Sequence, residues 1–215
     1  HTTEQENMEE QIQQPNENSG ILIQGHLKIF DPNNEEVFVD KRNAIHYENF
    51  SKSLAQSMAN KNLGYVYQMA FGNGGSSVDT TGVITYLPPN TTGQNANLYN
   101  PTYAKVVDDN SSANTDTSRN NLTVTHTTGK VYTDILVSCL LDYGEPSGQQ
   151  AFDNSTDFNG DYVFDELGLK TWNGSATELR LITHVIFHPV QKSLNRQIQI
   201  DYTVRIQTLT NLSAT

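Results

Sequence analysis

The stretch Ile198-Gln-Ile-Asp-Tyr-Thr-Val-Arg-Ile206 decides the fold class. Ile198, Ile200, Tyr202, Val204 and Ile206 fall on one face and Gln199, Asp201, Thr203 and Arg205 on the other, which is the two-residue period of a half-buried strand. Just upstream, residues 162–170 and 179–188 are rich in β-branched and aromatic side chains, and the polar Trp172-Asn173-Gly174-Ser175 between them supplies a turn. Successive antiparallel strands are the simplest reading of this C-terminal third.

Composition points the same way. Of 215 residues only 35% are hydrophobic and 17% charged, so Asn, Gln, Ser, Thr and Gly fill much of the remainder. Many strands joined by long polar loops give that balance, whereas a helical bundle needs more Ala, Leu, Glu and Lys. The length fits one β-sandwich domain. A formal net charge of −11 argues against direct nucleic-acid binding, which needs Lys and Arg clusters to release counterions. No run approaches the roughly 20 apolar residues of a membrane span, and no basic-then-apolar leader is visible, so no membrane partner is expected. The single cysteine, Cys139, sits in an apolar strand pattern and reads as a small buried hydrophobe. A first residue of His is expected where a longer chain has been shortened.

Along the chain, residues 1–20 are Glu-, Gln- and Asn-rich and cannot bury enough apolar surface to offset their ordering entropy, so they read as an arm that is disordered or ordered by a partner. Residues 21–215 read as a single sandwich domain. Residues 21–30, the turn Asp31-Pro-Asn-Asn34 and residues 36–40 form a hairpin. Residues 49–60 carry the one convincing helix, capped by Asn49 or Ser51, with Phe50, Leu54 and Met58 as an apolar stripe lying on a sheet. A strand over 65–71 stops in Gly72-Asn-Gly-Gly75, which lacks the following lysine and helix of a phosphate loop and reads as a turn. Residues 78–121 are long and polar with short β-like pieces at 83–87 and 103–107, and a loop region of that length is expected to order against neighbouring subunits. Strands follow over 122–127 and 131–142, the second apolar on both faces and therefore central in a sandwich or between subunits.

Candidate sites give little chemistry. His184 and His188 have a zinc-like spacing, but Thr-His-Val-Ile-Phe-His-Pro is strand-like, and four strand residues span about 13 Å, too far for one metal. Asp157-Phe-Asn-Gly-Asp161 alternates oxygen donors, yet position 162 is Tyr and 168 is Gly, so no EF-hand is present. Asp165 and Glu166 are adjacent and should point to opposite faces of a strand, a poor acid/base pair; Glu166 is expected to hold backbone or a lysine such as Lys192. No nucleophile elbow is present. The expectation is no catalytic, cofactor-binding or metal-ligating residue, no cofactor and no enzymatic activity.

A strand containing Asp165-Glu-Leu-Gly-Leu169, a polar turn, a strand ending Phe187-His-Pro-Val-Gln-Lys192 and a final alternating strand resemble the C-terminal pattern of tailed-bacteriophage virion proteins. Upstream, Asn43-Ala-Ile-His-Tyr-Glu-Asn-Phe50, a short helix and Tyr65-Val-Tyr-Gln-Met-Ala-Phe-Gly-Asn-Gly-Gly75 resemble the N-terminal part of the same group, nearest to structural proteins of T4-like myoviruses of cyanobacteria. The resemblance covers roughly residues 20–208. It implies a structural component of a virion assembled in the host bacterial cytoplasm, a homo-oligomer contacting other virion proteins as capsid decoration, neck, tail or baseplate. The fold expected is mainly β, an antiparallel, jelly-roll-like β-sandwich with one short α-helix packed on it and long polar loops. The alternative is a receptor- or glycan-binding sandwich of a phage fibre, with Trp172 and the tyrosines as a stacking platform. A polysaccharide hydrolase is a third class, and it would need two carboxylates converging in a groove.

Overall fold

The computed structural model describes residues 20–42, 44–147 and 162–209. They form a mainly β, antiparallel sandwich. One sheet contains β1 (Gly20–Phe30), β2 (Val37–Arg42), β8 (Asn121–Thr125), β9 (Tyr132–Leu141) and β13 (Ile198–Leu209), in the order β2-β1-β13-β9-β8. The other contains β3 (Ala44–Ile45), β4 (Val66–Gly72), β7 (Pro101–Val106), β10 (Tyr162–Ser175) and β12 (Thr183–Lys192), in the order β3-β12-β10-β4-β7, with β11 (Glu178–Leu181) also against β10. A small hairpin joins β5 (Ser76–Val78) to β6 (Ile84–Tyr86). The helix α1 spans Tyr47–Met58.

The alternation of β13 does what its sequence requires. Ile198, Ile200, Tyr202 and Val204 are buried, while the intervening polar residues stay partly exposed. Across from them lie Leu27 and Ile29 of β1, Val137, Cys139 and Leu141 of β9, and Phe71, Phe164 and Leu167 of the opposite sheet. Each such side chain contributes about 1.5–3 kcal/mol of transfer free energy when fully buried. The hairpin β1–β2 and the central place of β9 agree with the sequence, and Cys139 is buried in the core, where desolvation pushes its thiol up to about 12.

At one end the five-stranded sheet outruns its partner. Ile206 is only partly covered, and Ile21 and Val131, level with Thr208 on the inward-facing rows, are 60% and 48% exposed, while Val124 on the edge strand β8, level with the buried Val204, is 69% exposed. This is an apolar overhang at the end of the sandwich where the described chain starts and stops, since Gly20 pairs with Leu209.

Several expectations are corrected. The C-terminal strands are not three neighbours, because β10, β11 and β12 share one sheet while β13 crosses to the other and pairs with β1 and β9. Hydrophobic alternation marks a face to be buried but does not say against which sheet. Trp172-Asn173-Gly174-Ser175 is strand and not turn; the chain reverses at Ala176 and Thr177. The helix begins earlier, capped by His46, whose Nδ1 accepts from the Asn49 N–H. Its buried face is Asn49, Phe50 and Ser53, all in its first two turns, and Met58 in its last turn is 81% exposed.

Residues 72–121, expected to order against neighbouring chains, are fastened to their own sandwich in part, while the β5–β6 hairpin stays open, with Val78, Val83 and Tyr86 64%, 56% and 48% exposed. Asn114 Nδ2 donates to the carbonyls of Asp108 and Asn120, Asn120 Oδ1 accepts from the Leu140 N–H, and Leu98 is buried with Ala70 and Leu181. Short polar side chains that read as solvated loop satisfy backbone groups at a distance, which no local pattern reveals. The arm at 1–19 and the oxygen-donor stretch at 157–161 lie outside the described residues. Among the described residues no helix is long and apolar enough to cross a membrane, which says nothing of membrane barrels built from strands.

Candidate functional site

Two concentrations of polar side chains stand out from the sandwich, and they differ in whether their atoms are already engaged. The first is built on β10. Its register against β12 shifts between Phe164 and Glu166, and this irregularity interrupts the strict alternation that would have sent Asp165 and Glu166 to opposite faces. Both carboxylates reach the same glycine loop. Asp165 accepts from the N–H groups of Gly75 and Ser76 and from the Ser76 hydroxyl. Glu166 accepts from the N–H groups of Gly74 (2.8 Å), Tyr99 (2.8 Å) and Asn100 (3.0 Å) and from Nε2 of His184 (2.8 Å).

The His184 ring is oriented from its other side. The Asn90 N–H donates to Nδ1 at 2.7 Å, which leaves the proton on Nε2, aimed at Glu166. Glu166 therefore fills both oxygens with two donors each, the full acceptor capacity of a carboxylate. Burial pushes its carboxyl up, but the His184 bond and the three backbone bonds outweigh that, so the net shift is downward. Asp165 moves the other way: burial dominates, the Ser76 and Gly75 bonds oppose it, and the nearby Glu166 charge adds to the rise. Lys192 is not the partner of Glu166; it donates to the carbonyls of Tyr143 and Ser193.

The same loop is fastened at further points. His46 Nε2 donates to the Gly93 carbonyl, and Asn49 Nδ2 donates to the carbonyls of Gln94 and Leu181. The glycines that read as a turn let the backbone come this close. A Cβ on Gly72 would lie 2.4 Å from the Asn100 carbonyl oxygen, and one on Gly74 would lie 2.8 Å from the Asn100 nitrogen. The glycine loop does cradle anions, but they are the chain's own buried carboxylates, sealed from any substrate.

The second concentration is open. A groove of about 560 Å³ lies where the approach to β4, the start of β8 and the end of β10 meet the 108–112 loop. Its floor is aromatic: Tyr65 and Trp172 are parallel to within 11° at 6.2 Å between ring centroids, and Tyr67 meets Trp172 at 4.7 Å. They are brought together by the backbone, because the Trp172 N–H donates to the Tyr65 carbonyl. Asp108, Asn110 and Ser112 form one wall and Asn62 the other. Burial, followed by the charge of Asp108, raises the Tyr65 hydroxyl above its ordinary value.

Other sequence candidates are placed apart. His188 lies at the surface with Nδ1 3.2 Å from the Tyr86 hydroxyl, away from the Glu166 bond of His184. Another groove of about 540 Å³ runs beside β1 and β2; His26 is paired with Asp40 and Arg205 with Asp134, Lys41 donates to the Ile186 carbonyl, and Arg42 also lines it. Sequence reasoning named Glu166, and Trp172 with the tyrosines as a group, but missed Asp108, His46 and Asn90. Only the Tyr65-x-Tyr67 spacing carried a signal, and it read as strand. Comparison of the chain with protein-family models, with curated proteins and with solved structures gives no match.

Proposed function

We propose that the chain is a non-enzymatic structural component of a tailed-phage virion, a rigid building block that contacts copies of itself and other virion proteins in capsid decoration, neck, tail or baseplate. One observation carries this reading: the residues on which the virion resemblance rests serve architecture. Glu166 of Asp165-Glu-Leu-Gly-Leu169 fastens two loops. Gly168 packs so closely that a Cβ would lie 2.5 Å from the Thr183 carbonyl oxygen. Lys192, ending Phe187-His-Pro-Val-Gln-Lys192, ties the carbonyls of Tyr143 and Ser193. A motif that fixes loops to a sandwich suits a load-carrying part and supplies no exposed acid/base pair.

The Glu166-bound segments of 72–121 are occupied on their own sandwich, so the overhang of Ile21 and Val131 is where neighbouring copies meet in this reading. Burying that inner face against its symmetry mate continues the core of each sandwich. Cryo-EM of intact particles, with the chain located and its copies counted, tests the assignment. Copies on the icosahedral lattice make it a decoration protein, and a ring or fibre makes it a neck, tail or baseplate part. Its absence from the particle overturns the proposal. For the interface, Ile21→Glu with Val131→Glu is expected to shift the sedimenting species to monomer, and an unchanged oligomer would move the contact elsewhere.

A further inference from the structure

We infer that the groove formed by Tyr65, Tyr67, Trp172 and Asp108 binds a neutral saccharide, with the C–H face of a pyranose ring on the aromatic floor and its hydroxyls on the polar wall. This is a ligand-binding activity separate from the architectural role, and it holds wherever in a particle the chain sits.

Four observations lead there. The first is the aromatic lining itself, since Tyr65, Tyr67 and Trp172 meet in one open groove and offer ring surface against which the C–H face of a sugar can pack. The second is the state of the polar tips. Tyr and Trp in packed surroundings ordinarily find a partner for their O–H or N–H. Here the hydroxyls of Tyr65 and Tyr67 and the indole N–H of Trp172 make no hydrogen bond to the described residues, and none of them is a buried unpartnered atom, so all three reach solvent and are free to bond a ligand. Tyr67 is largely buried, but its hydroxyl is open. The third is Asp108, a buried carboxylate with one oxygen engaged by the Asn110 N–H at 3.0 Å and the other receiving no hydrogen bond from the described residues. A free carboxylate oxygen beside an aromatic floor is an acceptor for a sugar hydroxyl.

The fourth is charge and size. No Lys, Arg or His lines the groove, and the chain carries −11 overall. That disfavours a nucleotide, a uronate or a sulfated glycan, each of which needs cations. The volume of about 560 Å³ lies inside the roughly 300–1,000 Å³ of small-ligand sites. A proline-rich peptide also docks on aromatic grooves, but Asn62, Asn110, Ser111 and Ser112 surround this one with short polar side chains. That density suits a ligand bearing a hydroxyl on nearly every carbon.

Trp172 is the only tryptophan, so its emission reports on the groove directly. The full chain is titrated with lactose, maltotriose and chitotriose to about 10 mM, enough to fill most sites at a millimolar Kd. Hyaluronan oligosaccharide and a proline-rich peptide serve as contrasts, and purified host lipopolysaccharide separates a cell-surface source from free sugars. The expected result is a saturable change with at least one neutral oligosaccharide and none with hyaluronan. By calorimetry, Trp172→Ala weakens that binding about tenfold or more, Asp108→Asn weakens it several-fold, and Trp172→Phe, which keeps a ring, restores most of it. No response to any neutral sugar, a stronger response to hyaluronan or the peptide, or full affinity in a folded Trp172→Ala variant would overturn the inference.

Discussion

The Asp165–Glu166 clamp and the Asp108 groove are made of the same materials, carboxylates beside aromatic rings and short polar side chains, and they do opposite things. At the clamp both oxygens of Glu166 are filled by donors from four different residues of the chain. At the groove one oxygen of Asp108 and the polar tips of three aromatic side chains are left without partners among the described residues. A buried acid whose acceptor sites are all filled by the chain is part of the scaffold, and one whose oxygen still reaches solvent can accept from a ligand. Residue burial does not separate the two, because Asp108 and Glu166 are both buried; the census of donors does, together with the solvent that reaches the unfilled oxygen of Asp108.

The contrast is sharpest in stability. Glu166→Ala strands three partly buried N–H groups and the buried His184, and is expected to cost more than about 3 kcal/mol in urea unfolding, with earlier proteolysis within residues 88–100. A loss below about 1 kcal/mol would mean that the loop is held by its other fastenings.

Acid should act on the same cluster. The folded-state value of Glu166 is depressed below its ordinary 4.5, so its contribution is present above that value and is lost as pH falls through the folded value. Asp165 is raised, so its contribution is present at low pH and is lost as pH rises through the folded value, partly offsetting the Glu166 trend. Glu166→Gln should therefore flatten the fall of the urea midpoint below pH 4.5 relative to the unaltered chain. Parallel slopes would assign the acid sensitivity to other carboxylates, such as Asp142, held at about 2 chiefly by Gln197.

At the groove, Asp108→Asn keeps the acceptor that receives the Asn110 N–H, removes the charge and turns the second oxygen into an NH2 donor. It is expected to change stability by less than about 1 kcal/mol while reducing saccharide binding. A large stability loss would place Asp108 with the clamp as a structural acid. The smallest effect belongs to Met58→Gln on the exposed end of α1, expected within about 0.5 kcal/mol by thermal unfolding; a larger loss would point to a covering partner there.

How much was legible follows from the range of each interaction. Strand periodicity is local, so β13, the β1–β2 hairpin and the buried inner face of β9 could be read from neighbouring residues, whereas the second face of β9 is buried only at Leu140. Asn49 was read as a cap and is instead a side chain tying two distant carbonyls, with His46 in the capping place. Glu166 was rightly given to backbone, but its donors lie 66 to 92 residues upstream. Of the groove, Trp172 was named as a stacking residue, and the acid beside it was invisible because nothing in Val107-Asp-Asp-Asn110 distinguishes Asp108 from Asp109.

The sequence by itself determined an antiparallel sandwich with polar connections and an acidic surface, because alternation and composition are properties of consecutive residues. Only the tertiary structure decided that β13 crosses to the opposite sheet, that the Glu166-bound loops close on their own sandwich, and that one acid is sealed while another is left open. Those outcomes depend on which donors, acceptors and apolar faces arrive from elsewhere in the chain, and that is fixed when the sheets pack.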